Sequence, residues 1–151
     1  MCWLPPRSPY GLIQEDLFPD KWMILVTSVM LNRTSRKQVE KVLRQFAKLW
    51  PDAKSLSLAN VCEIAVVLKA LGLSNRRATT LLALARAYIA DKNLCVSELP
   101  GIGAYATRAW EIFCEGRLGD LEPKDHALAE YWRYCKQHNY MRTRQKDEQC
   151  K

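Results

Sequence analysis

The chain has 151 residues, 48% of them apolar, and a formal charge of +7 with a pI near 9.2. That length and apolar fraction exclude a disordered chain and fit one globular domain with its own core, residues 1–151. Apolar runs such as Met23–Val26 are far too short to cross a bilayer, and the prolines of the opening MCWLPPRSPYGL leave no apolar stretch for a secretion signal. An intracellular soluble protein is expected. Its charge favours a polyanionic partner, nucleic acid first and an acidic membrane surface second.

Helical periodicity runs almost throughout, and no stretch alternates as a strand does. Ser8-Pro9 reads as a helix start leading into YGLIQEDLF. PDKWMILVTSVMLNRT opens with Asp20 as its cap, and its apolar residues go nearly all round and so predict a central buried helix. In SRKQVEKVLRQFAKLW, Val39, Val42, Leu43 and Phe46 share one face, and Pro51 stops the helix. SLANVCEIAVVLKALGL predicts one helix ended by Gly72, and Ser74 reads as the cap of the next, which runs to about Lys92. CVSELPGIGAYATRAWEIFCEG holds two short helices joined at a Pro100–Gly103 bend and ended at Gly116. EPKDHALAEYWRYCKQHN is the last helix, and the polar tail 141–151 is expected to fray. The sum is an all-α globule of about seven to nine helices.

The cysteines (Cys2, Cys62, Cys95, Cys114, Cys135, Cys150) are scattered, without a CxxC pair. Four fall in apolar helical patterns and read as small core residues, so no disulfide framework, zinc site or iron–sulfur cluster is expected. His126 and His138 have no matching ligand set.

LPGIG carries the first functional signal. Gly101 and Gly103 let the chain reverse within few residues, which frees Ile102 to plug into the core. The amides of Gly103, Ala104 and Tyr105 would then open a helix without internal partners, at its positive end, which is a natural phosphate seat. The plain alternative is a helix–turn–helix joint with no ligand. The second signal is Asp125 in LEPKDHALAEYW, a carboxylate at the start of an amphipathic helix, where an ordinary cap is the plain reading.

LPGIG followed by AYATRAW resembles the helix–hairpin–helix DNA-binding motif, and the distance from Gly103 to Asp125 resembles that in helix–hairpin–helix base-excision glycosylases. More specifically, PPRSPYGLIQEDLFPDKW, LNRTS, LKALGL, GIGAYATRAWEIFC and PKDHAL occur in the order seen in the catalytic domain of the vertebrate methyl-CpG-binding-domain thymine DNA glycosylases. The resemblance covers roughly residues 3 to 140, and the methyl-CpG-binding domain is not among them. It implies a helix–hairpin–helix glycosylase fold with its active site in a cleft between two helical subregions. It further implies removal of thymine or uracil mispaired with guanine in double-stranded DNA, by a monomer acting in the nucleus if the source is eukaryotic. Residue by residue, it makes Asp125 the catalytic carboxylate and Ile13, Gln14 and Tyr105 the base pocket. Arg33 would fill the hole left by the flipped nucleotide, and Leu71 would be the wedge against the opposite strand. Gly101, Ile102, Gly103 and Ala104 would hold phosphate.

A base in a duplex is out of reach until it is extruded, so a plug, a wedge, a pocket and a phosphate anchor form a coherent set. Bond cleavage develops positive charge on the sugar, which a carboxylate stabilises while it orients water. Bifunctional relatives carry a Schiff-base lysine where Tyr105 stands here, so the resemblance implies a monofunctional enzyme that leaves an abasic site. No metal or organic cofactor is implied, apart from a monovalent cation on the hairpin carbonyls in some relatives. Ala104 and Ala127 stand where such relatives have basic residues. Six basic residues between Asn32 and Lys48 oppose Glu40 alone, in part as a solvated helix face, and Arg76, Arg77 and Arg108 are expected near the wedge and hairpin. The rival readings are a non-catalytic DNA-binding hairpin module, another glycosylase specificity on the same scaffold, and an RNA-binding or structural helical protein.

Overall fold

The computed structural model describes residues 3–140, so the expected fraying of 141–151 lies outside the described residues. Eight α-helices and no strands occur among them: α1 (Ile13–Leu17), α2 (Lys21–Met30), α3 (Arg36–Leu49), α4 (Ala53–Ser57), α5 (Val61–Val67), α6 (Ser74–Ala90), α7 (Ala104–Trp110) and α8 (His126–Gln137). None of the described helices is long and apolar enough to cross a membrane.

Helix α2 is the centre, as its all-round apolar sequence requires. Trp22 to Ser28 and Met30 are all buried, and α1 and α7 pack on it. Asp20 caps it by accepting from Met23 N at 3.0 Å. Helix α3 buries Val39, Val42, Leu43 and Phe46, the face its periodicity marks. Helices α4 and α5 pack on α6.

The sequence reading has no counterpart of α4, and the first of the two short helices expected at the hairpin is only a 3-10 turn, Val96–Glu98. Three further segments depart from that reading. Residues 8–12 are not helical. The buried Glu15 carboxylate takes Ser8 N (2.6 Å), Ser8 Oγ (2.9 Å) and Leu12 N (2.5 Å), drawing this stretch into a strap across the molecule. Tyr131 Oη pins the strap by donating to Pro6 O at 2.8 Å. The single helix expected up to Gly72 is broken by Asn60, whose Oδ1 accepts from Cys62 N (2.8 Å) and starts α5 anew. A short 3-10 turn, Lys69–Leu71, completes the run to Gly72. Ser74 is the first residue of α6 and not its cap. The cap position is Leu73, in left-handed conformation (φ +49) with no side-chain bond.

Cys114 and Cys135 are buried, and burial raises their thiol pKa values to about 12 and about 11. Cys62 and Cys95 are exposed, so the core reading fails for those two: each sits on the solvent side of its segment.

Candidate active site

Helix α7 begins at the hairpin and continues as a π turn, Glu111–Glu115, to Gly116 (φ +69). At Gly101 φ is +75 and a Cβ would overlap the Thr80 methyl, so only glycine fits. Gly103 differs: its φ is −100, open to any residue, and a Cβ there would meet nothing within 4 Å. The bend therefore needs one glycine, and the second keeps open the surface at the uncapped start of α7. Ile102 is half-buried against the core, while Ala104 is exposed.

A cleft of about 550 Å³ opens where α1, the α2–α3 loop and the starts of α7 and α8 meet. Asp125, Ile13, Gln14, Tyr105 and Arg33 all line it. Asp125 caps α8, Oδ1 accepting from Leu128 N at 2.9 Å, which leaves the carboxylate exposed to the cleft in a fixed orientation. The loop before it is braced. Arg108 bonds Glu111 (2.8 Å), Leu118 O (2.7 Å) and Leu121 O (2.9 Å), and Trp132 Nε1 also donates to Leu118 O (2.7 Å). Arg108 is thus an internal strut and not a free phosphate ligand.

On the opposite wall, Gln14 is 1% exposed. Its Nε2 donates to Tyr105 Oη at 2.9 Å and, more weakly, to Ser28 Oγ at 3.4 Å. Ser28 in turn donates to Ile24 O at 2.7 Å, so its hydroxyl proton is already engaged and it can face Gln14 only as an acceptor. That fixes the amide: Oε1 is left as an acceptor without a partner among the described residues, and the Tyr105 hydroxyl proton stays free. Burial, reinforced by the charge of Asp125 and opposed by the Gln14 bond, pushes the Tyr105 pKa up to about 12, so the phenol is neutral at physiological pH.

Arg33 is exposed at the rim with φ +61, a conformation rare for a side chain of its size. Leu71 is corrected by the structure. It is 5% exposed, packed in the core cluster at the end of the 3-10 turn, and has no surface to press on a strand. The exposed leucine at this corner is Leu73, at 65%. The hairpin residues Gly101 to Ala104 do not line the cleft. Sequence reasoning missed Tyr10, Asn32 and Glu130 as lining residues. Glu130 lies one helical turn after His126, 3.5 Å from its Nε2, a spacing that could have exposed it. Lys124 is exposed and does not line the cleft.

A glycine-dependent hairpin that leads into one helix, with a carboxylate capping the next helix at the cleft, defines a helix–hairpin–helix protein. The chain belongs to the HhH-GPD superfamily of base excision DNA repair proteins, whose family pattern matches residues 26–150. It is 38% identical over 134 residues to the methyl-CpG-binding domain protein 4-like protein of Arabidopsis thaliana, covering 89% of this chain and 30% of that protein. It is 33% identical over 93 residues to the thymine-DNA glycosylase of Aeropyrum pernix, covering 57% of this chain and 42% of that one. Among solved structures, a thermostable thymine-DNA glycosylase superposes with TM-score 0.61 at 30% identity, over 66% of this chain and 49% of that one. A trapped endonuclease III–DNA covalent intermediate shares the fold, with TM-score 0.56 at 18% identity, over 91% of this chain and 68% of that one. The chain spans less than half the length of the curated relatives it matches.

Proposed function

We propose that this chain is a monofunctional DNA glycosylase that hydrolyses the N-glycosidic bond of thymine or uracil mispaired with guanine. The observation that carries the reading is the shared cleft: a fixed carboxylate, Asp125, on one wall faces an oriented Gln14–Tyr105 pair on the other. Thymine and uracil present an imide N–H between two carbonyls. Gln14 Oε1 suits the N–H, and the free Tyr105 hydroxyl suits a carbonyl oxygen. Cytosine carries an acceptor at that ring nitrogen and is disfavoured by the same amide orientation. The names of the relatives, a thymine-DNA glycosylase and thymine/uracil-DNA glycosylases, support the substrate class.

In this scheme the mispaired nucleotide swings out of the duplex, at a cost of a few kcal/mol that is least for a mispair. Arg33 fills the vacated position. Leu73, exposed where Leu71 is buried, takes the wedge role against the facing strand. The open backbone at Gly103 and Ala104 accepts a phosphate, and the exposed Lys37, Lys41 and Arg44 of α3 add positive potential. The C1′–N1 bond then breaks with its electron pair leaving on the base, whose developing charge the Tyr105 hydroxyl stabilises. Asp125 stabilises the oxocarbenium-like sugar and accepts a proton from the water that attacks C1′, and that proton passes to the departing base. With tyrosine at position 105 and Lys124 outside the cleft, no amine among the described residues lines the cleft to attack the sugar, so the product is an abasic site on an intact strand. Leu99 O and Gly103 O already accept bonds from Ile102 N (3.2 Å) and Thr107 N (3.0 Å). A monovalent cation on the hairpin would share these carbonyls or use those between them, and no chemical step depends on it.

The test is a single-turnover assay on duplexes containing G·T, G·U or A·T. Base release from G·T and G·U alone, with strand cleavage only after added alkali, is the expected result. Tight duplex binding with no base release would favour the non-catalytic hairpin module, and cleavage without alkali would overturn the monofunctional assignment.

A further inference from the structure

Only three non-glycine residues among those described have positive φ: Arg33, Leu73 and Asn139. The first two belong to different loops, one after α2 and one before α6; both are exposed, and Arg33 lines the cleft. A single side chain joins them. Arg77, on the first turn of α6, donates from Nε to Gly72 O (3.1 Å) and from one terminal nitrogen to Asn32 O (3.0 Å). Those carbonyls belong to the residues immediately preceding Leu73 and Arg33. The other terminal nitrogen reaches Met30 O (3.3 Å), the last residue of α2, where a cation also meets the negative end of the helix dipole. A left-handed conformation at a bulky residue persists only where the surroundings over-determine it. Here the peptide leading into each such residue is fixed by the same planar guanidinium.

We infer that Arg77 is a positioning residue that locks the Arg33 and Leu73 loops into one rigid unit, so that plug and wedge enter the duplex together. This differs from a reading of Arg77 as free positive charge near the wedge and hairpin, because three of its five N–H donors, one on each nitrogen, are engaged by backbone carbonyls. Lysine cannot substitute: it keeps the charge but has no planar fork to span carbonyls on two loops. The inference rests on the glycosylase reading above.

The experiment uses the full chain, G·U and G·T duplexes, and the variants Arg77→Lys and Arg77→Met. Both variants should slow single-turnover base release by about ten-fold or more at saturating enzyme, since small misplacements of positioning groups have effects of this size. The salt dependence of duplex binding should stay as in the native protein. A phosphate contact predicts the opposite pattern: Arg77→Lys near native, and a salt slope reduced by about one in Arg77→Met. A double-mutant cycle between Arg33→Ala and Leu73→Ala keeps the test open if an Arg77 variant does not fold. With Arg77 present, the double variant should slow base release by less than the product of the two single effects. With Met at 77, the effects should multiply. Multiplicative effects with Arg77 present, or a near-native Arg77→Lys, would overturn the inference. Absence of base release by the native chain itself would remove the glycosylase reading instead, so the two failures are distinct.

Discussion

The two walls of the cleft are held by different means. The Gln14–Tyr105 wall is buried at Gln14 and half-buried at Tyr105, and its side chains are set by one another: Gln14 bonds Tyr105 and Ser28, and Ser28 bonds the α2 backbone. Asp125 and Arg33 at the rim, and Leu73 on the loop that Arg77 ties to that of Arg33, are exposed, and their side chains are set by the backbone beneath them, through a helix cap and two left-handed residues. A buried hydrogen-bond network gives chemical selectivity, because a mismatched group leaves a partner unsatisfied. An exposed residue on a stiff backbone gives reach into a second macromolecule without prior desolvation. A protein that both reads a base and opens a duplex needs each.

The largest effect expected from breaking this division is at Asp125. Asp125→Asn keeps a cap and the fold, but should lower single-turnover base release by roughly 10²–10⁴-fold with duplex affinity retained. Gln14→Leu on the opposite wall should shift selectivity among bases, measured as the ratio of release from G·U to release from a G·C pair, before it abolishes chemistry. Next is the Leu71/Leu73 pair. Leu71→Ala should destabilise the fold by about 2–4 kcal/mol in denaturant unfolding. Leu73→Ala should leave stability nearly unchanged and slow base release. A reversal of those two outcomes would restore Leu71 as the wedge.

The hairpin glycines should separate in the same way. Gly101→Ala, at φ +75 against Thr80, should cost about 1–3 kcal/mol of stability. Gly103→Ala should be thermodynamically silent and weaken duplex binding. The smallest effect is on alkaline stability. Tyr105 and Cys114 hold their protons to about 12 in the folded chain, against ordinary values of 10.0 and 9.0. The stability linked to them is full below pH 9, and above it the unfolded chain binds fewer protons. Unfolding free energy should therefore fall between about pH 9 and 12, and Tyr105→Phe should flatten the upper part of that decline.

Much of this was legible in the sequence where a single periodicity or a local cap decides the outcome. The buried face of α3, the all-round burial of α2 and the caps Asp20 and Asp125 are of that kind. What escaped was set by longer-range contacts. Asn60 is a cap signal inside SLANVCE, but the apolar pattern around it matches one continuous helix equally well. Leu71 and Leu73 flank Gly72 symmetrically, and only the 3-10 turn and left-handed corner decide which one is buried. Arg77 and Arg108 look like surface charge in a basic chain. Their engagement with backbone carbonyls depends on loops as far as 47 residues away. The burial of Gln14 comes from its contact with Tyr105, 91 positions on, which no local pattern encodes.

The most direct measurement is a crystal structure of the Asp125→Asn variant bound to a duplex carrying a single G·U mispair. The account predicts uracil rotated out of the helix and lying between Gln14 and Tyr105, with residue 125 against C1′ and Arg33 in the vacated stack. A uracil still paired and stacked, or a residue 125 turned to solvent away from the sugar, would contradict it.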